Sequence, residues 1–228
     1  MLNESDILYE DNHVIVVYKP AGMLVQGDDT KDPTLIDQVK YYLKQKYQKP
    51  GNVFLGMVHR LDRPVCGIII FAKTSKAAAR LSEQFRTHTI QKIYHAVVEG
   101  DVTNAKATLI HYLEKDTDKN FVKVYDSPTQ GALRAELSYE LVESKKKKSL
   151  LRIELKTGRP HQIRSQLAHI CHPIVGDVKY GAQPIKEIES FGQKHSVIAL
   201  CATSLEFDLI TGEQRKKIEI DLPKEWDF

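Results

Sequence analysis

Residues 59–74 read HRLDRPVCGIIIFAKT, setting His59, Arg60 and Asp62 directly against the apolar run Ile68-Ile69-Ile70-Phe71. A carboxylate at the mouth of a core strand is held by the most rigid part of a fold, which suits a nucleophile. To attack, it must be ionised, and burial alone would raise its pKa, so such a nucleophile needs a cation close by. The same residues could instead form a structural ion pair where a polar loop enters a strand. HRLD also resembles the kinase H-R-D loop superficially. The missing G-x-G-x-x-G, D-F-G and downstream Asn remove that reading.

A second stretch, LKTGRPHQIRSQLAHICHPIVGDVKYG at 155–181, places Arg159, His161, Gln162 and Arg164 around the start of a helix. Helix N-termini attract anions through unpaired N–H groups and the macrodipole. Two arginines there make this the strongest anion-attracting point in the sequence, with a solvated helix start as the plain alternative. His161, His169, Cys171 and His172 match no common zinc spacing, so no metal is expected. Cys66, Cys171 and Cys201 form no C-x-x-C pair and fit a reducing compartment.

The elements that must position these groups follow from periodicity. HVIVVYK (13–19) reads as a strand ended by Pro20-Ala21-Gly22, and 34–47 as a helix with Leu35, Val39, Tyr42 and Leu43 on one face. Gly67 to Lys73 is the buried strand behind the first motif. A helix capped by Ser75 runs to about His88, with Ala78, Leu81 and Phe85 inward. Strands follow at 92–100, 105–113, 121–126, 134–142 and 149–156, the last two flanking the hairpin tip ESKKKKS. A short helix is expected from about Pro160, burying Ile163, Leu167 and Ile170, and closing strands near 197–209 and 215–221. Many adjacent strands with few helices predict an α+β fold on a mixed, largely antiparallel sheet flanked by helices. No repeat or Pro/Gly/Ser linker divides the chain, so a single domain over 1–228 is expected.

The 228 residues can bury a sizeable core, and 42% hydrophobic with 28% charged residues is an ordinary globular composition. No apolar stretch is long enough to cross a bilayer, and the acidic N-terminus lacks a signal-peptide layout, so a cytoplasmic protein with no membrane partner is expected. A net charge of +3 is compatible with a nucleic-acid partner without requiring one.

Taken in order, these blocks resemble the RluA family of RNA pseudouridine synthases nearly end to end. Lys19-Pro20-Ala21-Gly22-Met23 resembles its first motif, and the HRLD segment its catalytic signature. KIYHAVVEG (92–100) resembles its K-x-Y-x-A-x-V-x-G strand. TGRPHQIR followed by HPIVGDVKYG resembles two further blocks, and LCATSLEF (200–207) its closing strand. Pro64-Val65-Cys66 departs from the polar-Thr-Ser usual after HRLD, and Cys201 stands where His is common. Both departures bear on loop geometry and target choice. The first motif begins by residue 19, so the small RNA-binding domain carried by many relatives is expected to be absent.

The resemblance implies a pseudouridine synthase fold and the isomerisation of a uridine in structured tRNA or large-subunit rRNA. It makes Asp62 the nucleophile, Tyr94 the tyrosine that packs on the uracil and takes the C5 proton, and Arg164 the cation paired with the catalytic carboxylate. Arg60 is expected to fill the stack left by the flipped base, whose extrusion costs on the order of a few kcal/mol. Ile163 and Leu200 are candidates for the apolar floor, and His59, Arg159, His161 and Gln162 complete the residues expected to meet RNA. An isomerisation requires no redox cofactor, nucleotide or metal, so no cofactor is expected. Two other readings stay open: a non-catalytic RNA-binding or RNA-folding protein on the same scaffold, and a carboxylate-nucleophile glycosidase. The second normally needs a paired carboxylate that the motifs do not supply.

Overall fold

The structure, a computed structural model, describes residues 2–28, 31–185, 187–190, 193–224 and 226. In chain order its strands are β1 (Ile7–Glu10), β2 (Val14–Lys19), β3 (Gly56–Met57), β4 (Cys66–Ala72), β5 (Gln91–Glu99), β6 (Lys106–Asp116), β7 (Phe121–Tyr125), β8 (Leu133–Lys145), β9 (Lys148–Leu155), β10 (Glu187–Ser190), β11 (Gln193–Ser196), β12 (Leu200–Asp208) and β13 (Arg215–Glu219). The helices are α1 (Leu35–Lys46), α2 (Ser75–Arg86) and α3 (Gln162–His169). The fold class is α+β, and among the described residues no helix is long and apolar enough to cross a membrane.

These elements gather into two compact units with interleaved segments: residues 1–90, 188–195 and 204–220 form one, and 91–187, 196–203 and 221–228 the other. In the first unit β2 pairs antiparallel with β4, from Val14 opposite Ala72 to Lys19 opposite Gly67. All seven residues of β4 are buried, as expected of a strand covered on both faces. Val14, Val16, Ile68, Ile70 and Ala72 meet Ala77 and Leu81 of α2, with Leu205, Phe207 and Ile218 in the same core. The cap of α2 is Thr74, one residue earlier than the sequence suggests, its hydroxyl accepting from the Ala77 N–H at 3.1 Å. Strand β1, too short and too little alternating to be read from the sequence, pairs with β2.

Glu10 at the end of β1 fastens α1 and the exit of β4 together. Its carboxylate accepts from Lys73 at 2.6 Å, Lys46 at 2.7 Å and the Tyr47 hydroxyl at 2.8 Å. Burial opposes its ionisation, but these donors outweigh burial and hold its pKa down at about 2. A carboxylate with a depressed folded pKa stabilises fully above its unfolded value, near 4.5, and that contribution is lost as pH falls towards about 2. Glu10→Gln is therefore expected to lower stability at neutral pH by about 2 kcal/mol and to flatten the acid-side fall across that window. Urea unfolding at a series of pH values measures both.

In the second unit β5, β9, β8, β6 and β7 follow one another as antiparallel neighbours. The hairpin between β8 and β9 pairs out to Lys145 opposite Lys148, so its turn is only Lys146-Lys147, both with positive φ, 52° and 61°. The helix expected from Pro160 begins at Gln162, because His161 takes a left-handed conformation (φ 48°) and turns the chain once more before the helix can start.

Candidate active site

The loop that carries Asp62 is braced from the first unit's own sheet. Antiparallel register puts the end of β2 beside the beginning of β4, so the turn after Lys19 lies against residues 60–65. Lys19 is fully buried, and its ammonium donates to the carbonyls of Pro20 (3.0 Å), Met23 (2.8 Å) and Arg63 (3.1 Å). The Gly22 N–H donates to the Arg63 carbonyl at 2.8 Å, Arg63 Nε returns a bond to the Gly22 carbonyl at 3.0 Å, and Arg63 also pairs with Asp32. The Asp62 carbonyl accepts from the Val65 N–H at 3.1 Å, closing a tight turn just before the strand. Gly67 then enters β4 with φ 122°, a conformation only glycine adopts without strain. His59 stacks on Phe85 at 4.7 Å, and its Nε2 accepts the Ile70 N–H at 3.0 Å. Those contacts make His59 a brace of this loop. Arg60 is exposed, Asp62 half-buried and Leu61 buried between them.

Around α3 the second unit assembles its own set. Gln162 is buried; its side-chain carbonyl accepts from Thr157 Oγ1 (2.8 Å) and the Arg159 N–H (3.0 Å), while its amide donates to the Glu136 carbonyl (3.1 Å). This residue closes the Thr157-Gly158-Arg159 turn onto the helix. Arg164 is 5% exposed, and its Nε and one terminal nitrogen bond the two oxygens of Asp177, itself 1% exposed, at 2.7 and 2.8 Å. Its guanidinium also lies 5.2 Å from the ring centre of Tyr180. At this helix start Asp177 thus meets the Arg164 charge, and Arg159 is exposed, with its Nε donating to the Arg134 carbonyl. Tyr180 stacks on Phe121 and bonds His161 Nδ1 at 2.8 Å through its hydroxyl, which also accepts the Val122 N–H at 3.1 Å.

The residues sequence reasoning passed over are therefore Asp177 and Tyr180, both inside the quoted block GDVKYG. Gly176 precedes them with φ 87°, and a Cβ there would come within 2.6 Å of the Val197 carbonyl, so only glycine lets the chain deliver Asp177. On β5, Tyr94 is 8% exposed opposite Ile153, and Lys92 projects to the same side two residues earlier. Lys92 Nζ lies 3.9 Å from where a side chain on Gly158 would begin, and burial pushes its pKa down to about 8. Ile163 and Leu200 are both buried, at 5% and 3% exposure. The structure thus brings Arg159, His161, Gln162, Ile163 and Arg164 onto one turn of the second unit, with Tyr94 and Leu200 on strands of that unit. Asp62, Arg60 and His59 share one braced loop of the first.

Comparison with known proteins agrees with the family read from the motifs. The profile of a family described as RNA pseudouridylate synthase matches residues 13–169. A protein of Yersinia pestis named ribosomal large subunit pseudouridine synthase D is 34% identical over 180 residues, covering 78% of this chain and 53% of that protein. A tRNA pseudouridine synthase C of Haemophilus ducreyi is 34% identical over 189 residues, covering 78% of this chain and 74% of that one. The chain thus spans about half the length of the Yersinia relative. The solved human RNA pseudouridylate synthase domain containing 4 superposes with a TM-score of 0.78 at 21% identity, covering 96% of this chain and 89% of that one, which shows the same fold. With its first motif, its HRLD loop and the Arg164-bearing helix inside the matched span, the chain belongs to the RNA pseudouridylate synthase family.

Proposed function

We propose that this protein isomerises a uridine of structured tRNA or large-subunit rRNA to pseudouridine, with Asp62 as nucleophile. The observation that carries the reading is the held guanidinium of Arg164, in a buried, bidentate ion pair on a short helix that well-packed apolar residues could replace without loss of stability. In the reaction the Asp62 carboxylate attacks ribose C1′ or uracil C6, and the N1–C1′ bond breaks. The uracil turns, C5 bonds to C1′, the bond to Asp62 breaks and returns the carboxylate, and the C5 proton leaves while N1 gains one. Tyr94 packs on the uracil and takes the C5 proton, and Arg164 is the cation partner of the catalytic carboxylate. Ile163 and Leu200 give the base an apolar floor, and Arg60 fills the vacated stack, its planar guanidinium suited to both bases and phosphate. Arg159 and His161 meet the RNA; Gln162 and His59 hold the two segments in shape. The relatives' names point to the two RNA classes, one acting on tRNA and another on the large ribosomal subunit. Pseudouridine mapping of total RNA from cells lacking the gene, complemented with wild type or Asp62→Asn, tests the reading. One site should vanish and return only with wild type. A map unchanged by the deletion, with RNA affinity intact, would replace this reading with an RNA-binding role.

The lysine tip supports an RNA partner in its own way. A two-residue hairpin turn with positive φ at both positions favours Asn-Gly, and lysines there cost about 1 kcal/mol or more each. Charge at this tip is thus held against the local backbone preference. Replacing Lys146-Lys147 by Asn-Gly is expected to raise thermal stability while reducing the slope of log affinity for RNA against log salt by about 1.5. Filter binding across a salt series measures the slope, and an unchanged slope would leave the tip as plain solvated surface.

A further inference from the structure

His111 on β6, Asp126 just after β7 and His169 at the end of α3 converge on the second unit, with one ring nitrogen of each histidine and an Asp126 oxygen all within 4.8 Å of one another. We propose that these three side chains form a binding site for a divalent transition-metal cation of the zinc type, fastening the end of α3 to β6 and β7. This site lies outside the residues assigned to uridine chemistry and stands whether or not that assignment holds.

The geometry carries the proposal in three ways. The Asp126 oxygen is 2.8 Å from His169 Nε2 and 3.8 Å from His111 Nε2, and the two imidazoles meet edge to face at 4.9 Å between centres. Shifts of about 1 Å bring all three donors to the roughly 2.0–2.2 Å that zinc takes from imidazole and carboxylate. Second, His111 is 8% exposed and fixed, whereas Asp126 is open to water, which supplies an entry path and leaves the remaining coordination to solvent. Third, Gln166 is fully buried, with its Nε2 3.1 Å from His111 Nδ1, and its Oε1 has no hydrogen-bond partner. A half-turn of that amide gives up its long, 3.4 Å donation to the Leu109 carbonyl and directs Oε1 at Nδ1, so that an Nδ1–H donates to it and the histidine's Nε2 keeps its lone pair for a cation. An outer acceptor on the non-ligating nitrogen is the usual support of a metal-bound histidine. Two imidazoles and one carboxylate favour zinc, cobalt or nickel over magnesium or calcium, which take oxygen ligands. Because α3 carries Arg164 near its beginning, a cation at its end would stiffen the helix that presents that guanidinium.

The test uses the full chain, freed of metal with a chelator and titrated with zinc alone against a competing indicator. The expected result is one zinc per chain, with the melting temperature raised by about 5 °C at a hundredfold excess over Kd and unmoved by magnesium. Asp126→Asn and His169→Gln, both at exposed positions, should each weaken zinc binding at least about 100-fold, while Cys171→Ser leaves it unchanged. His111→Gln should do the same, with circular dichroism to confirm that this buried change leaves the fold intact. Absence of saturable binding would overturn the proposal and leave a His169–Asp126 ion pair. So would zinc binding that survives Asp126→Asn and His169→Gln but is lost with Cys171→Ser.

Discussion

Asp62→Asn is expected to lower turnover by about 10⁴-fold or more, while leaving RNA affinity unchanged or slightly tighter. The amide keeps the size and most of the hydrogen bonding of the carboxylate, and the loop beneath it is held by Lys19, Gly22 and Arg63. Loss of the nucleophile is then a loss of chemistry alone. Because the C5 proton must leave, release of tritium from RNA labelled at uridine C5 reads the reaction directly. Gel shift on the same RNA reads binding. Tritium release by Asp62→Asn within tenfold of wild type would remove Asp62 from the nucleophile's role, whatever the family.

Asp177→Asn is expected to destabilise the protein by about 3–5 kcal/mol, because it takes the charge from one half of a buried ion pair. For a chain of this length that is on the order of a 10 °C fall in melting temperature. The companion experiment separates stability from function. Replacing the pair together, Arg164→Met with Asp177→Leu, removes both charges and is expected to recover most of the stability while turnover stays abolished. If the double variant were active, the ion pair would be structural alone, and the observation on which the proposed function leans would be gone. Calorimetry and tritium release on the two variants decide the matter.

Most of the strands were legible because their patterns are strong. β4 reads as an unbroken apolar run and is buried at every residue, while β2, β5 and β9 carry apolar residues in the buried part of each strand. The beginning of α3 was misplaced for a physical reason. Proline favours a first helical position, but the left-handed His161 and the Gln162 side chain closing on Thr157 delay the helix by two residues. No spacing rule could pair Arg164 with Asp177, since the chain between them leaves the helix and turns before Gly176 delivers the carboxylate. Lys19 defied its type, as lysine is among the residues least often fully buried. Its only signal was its place before Pro20-Ala21-Gly22. The grouping of His111, Asp126 and His169 depends on how β6, β7 and α3 pack, which no local pattern contains.

The clamp at Lys19 also bears on how binding energy is spent when RNA arrives. An ammonium that meets three backbone carbonyls fixes the segment around Asp62 when the chain folds, before any ligand is present. Encounter with RNA then carries little further loss of loop entropy on the protein side. What the complex gains in contacts is left for the nucleic acid, to unstack and hold a uridine that would otherwise stay in its helix.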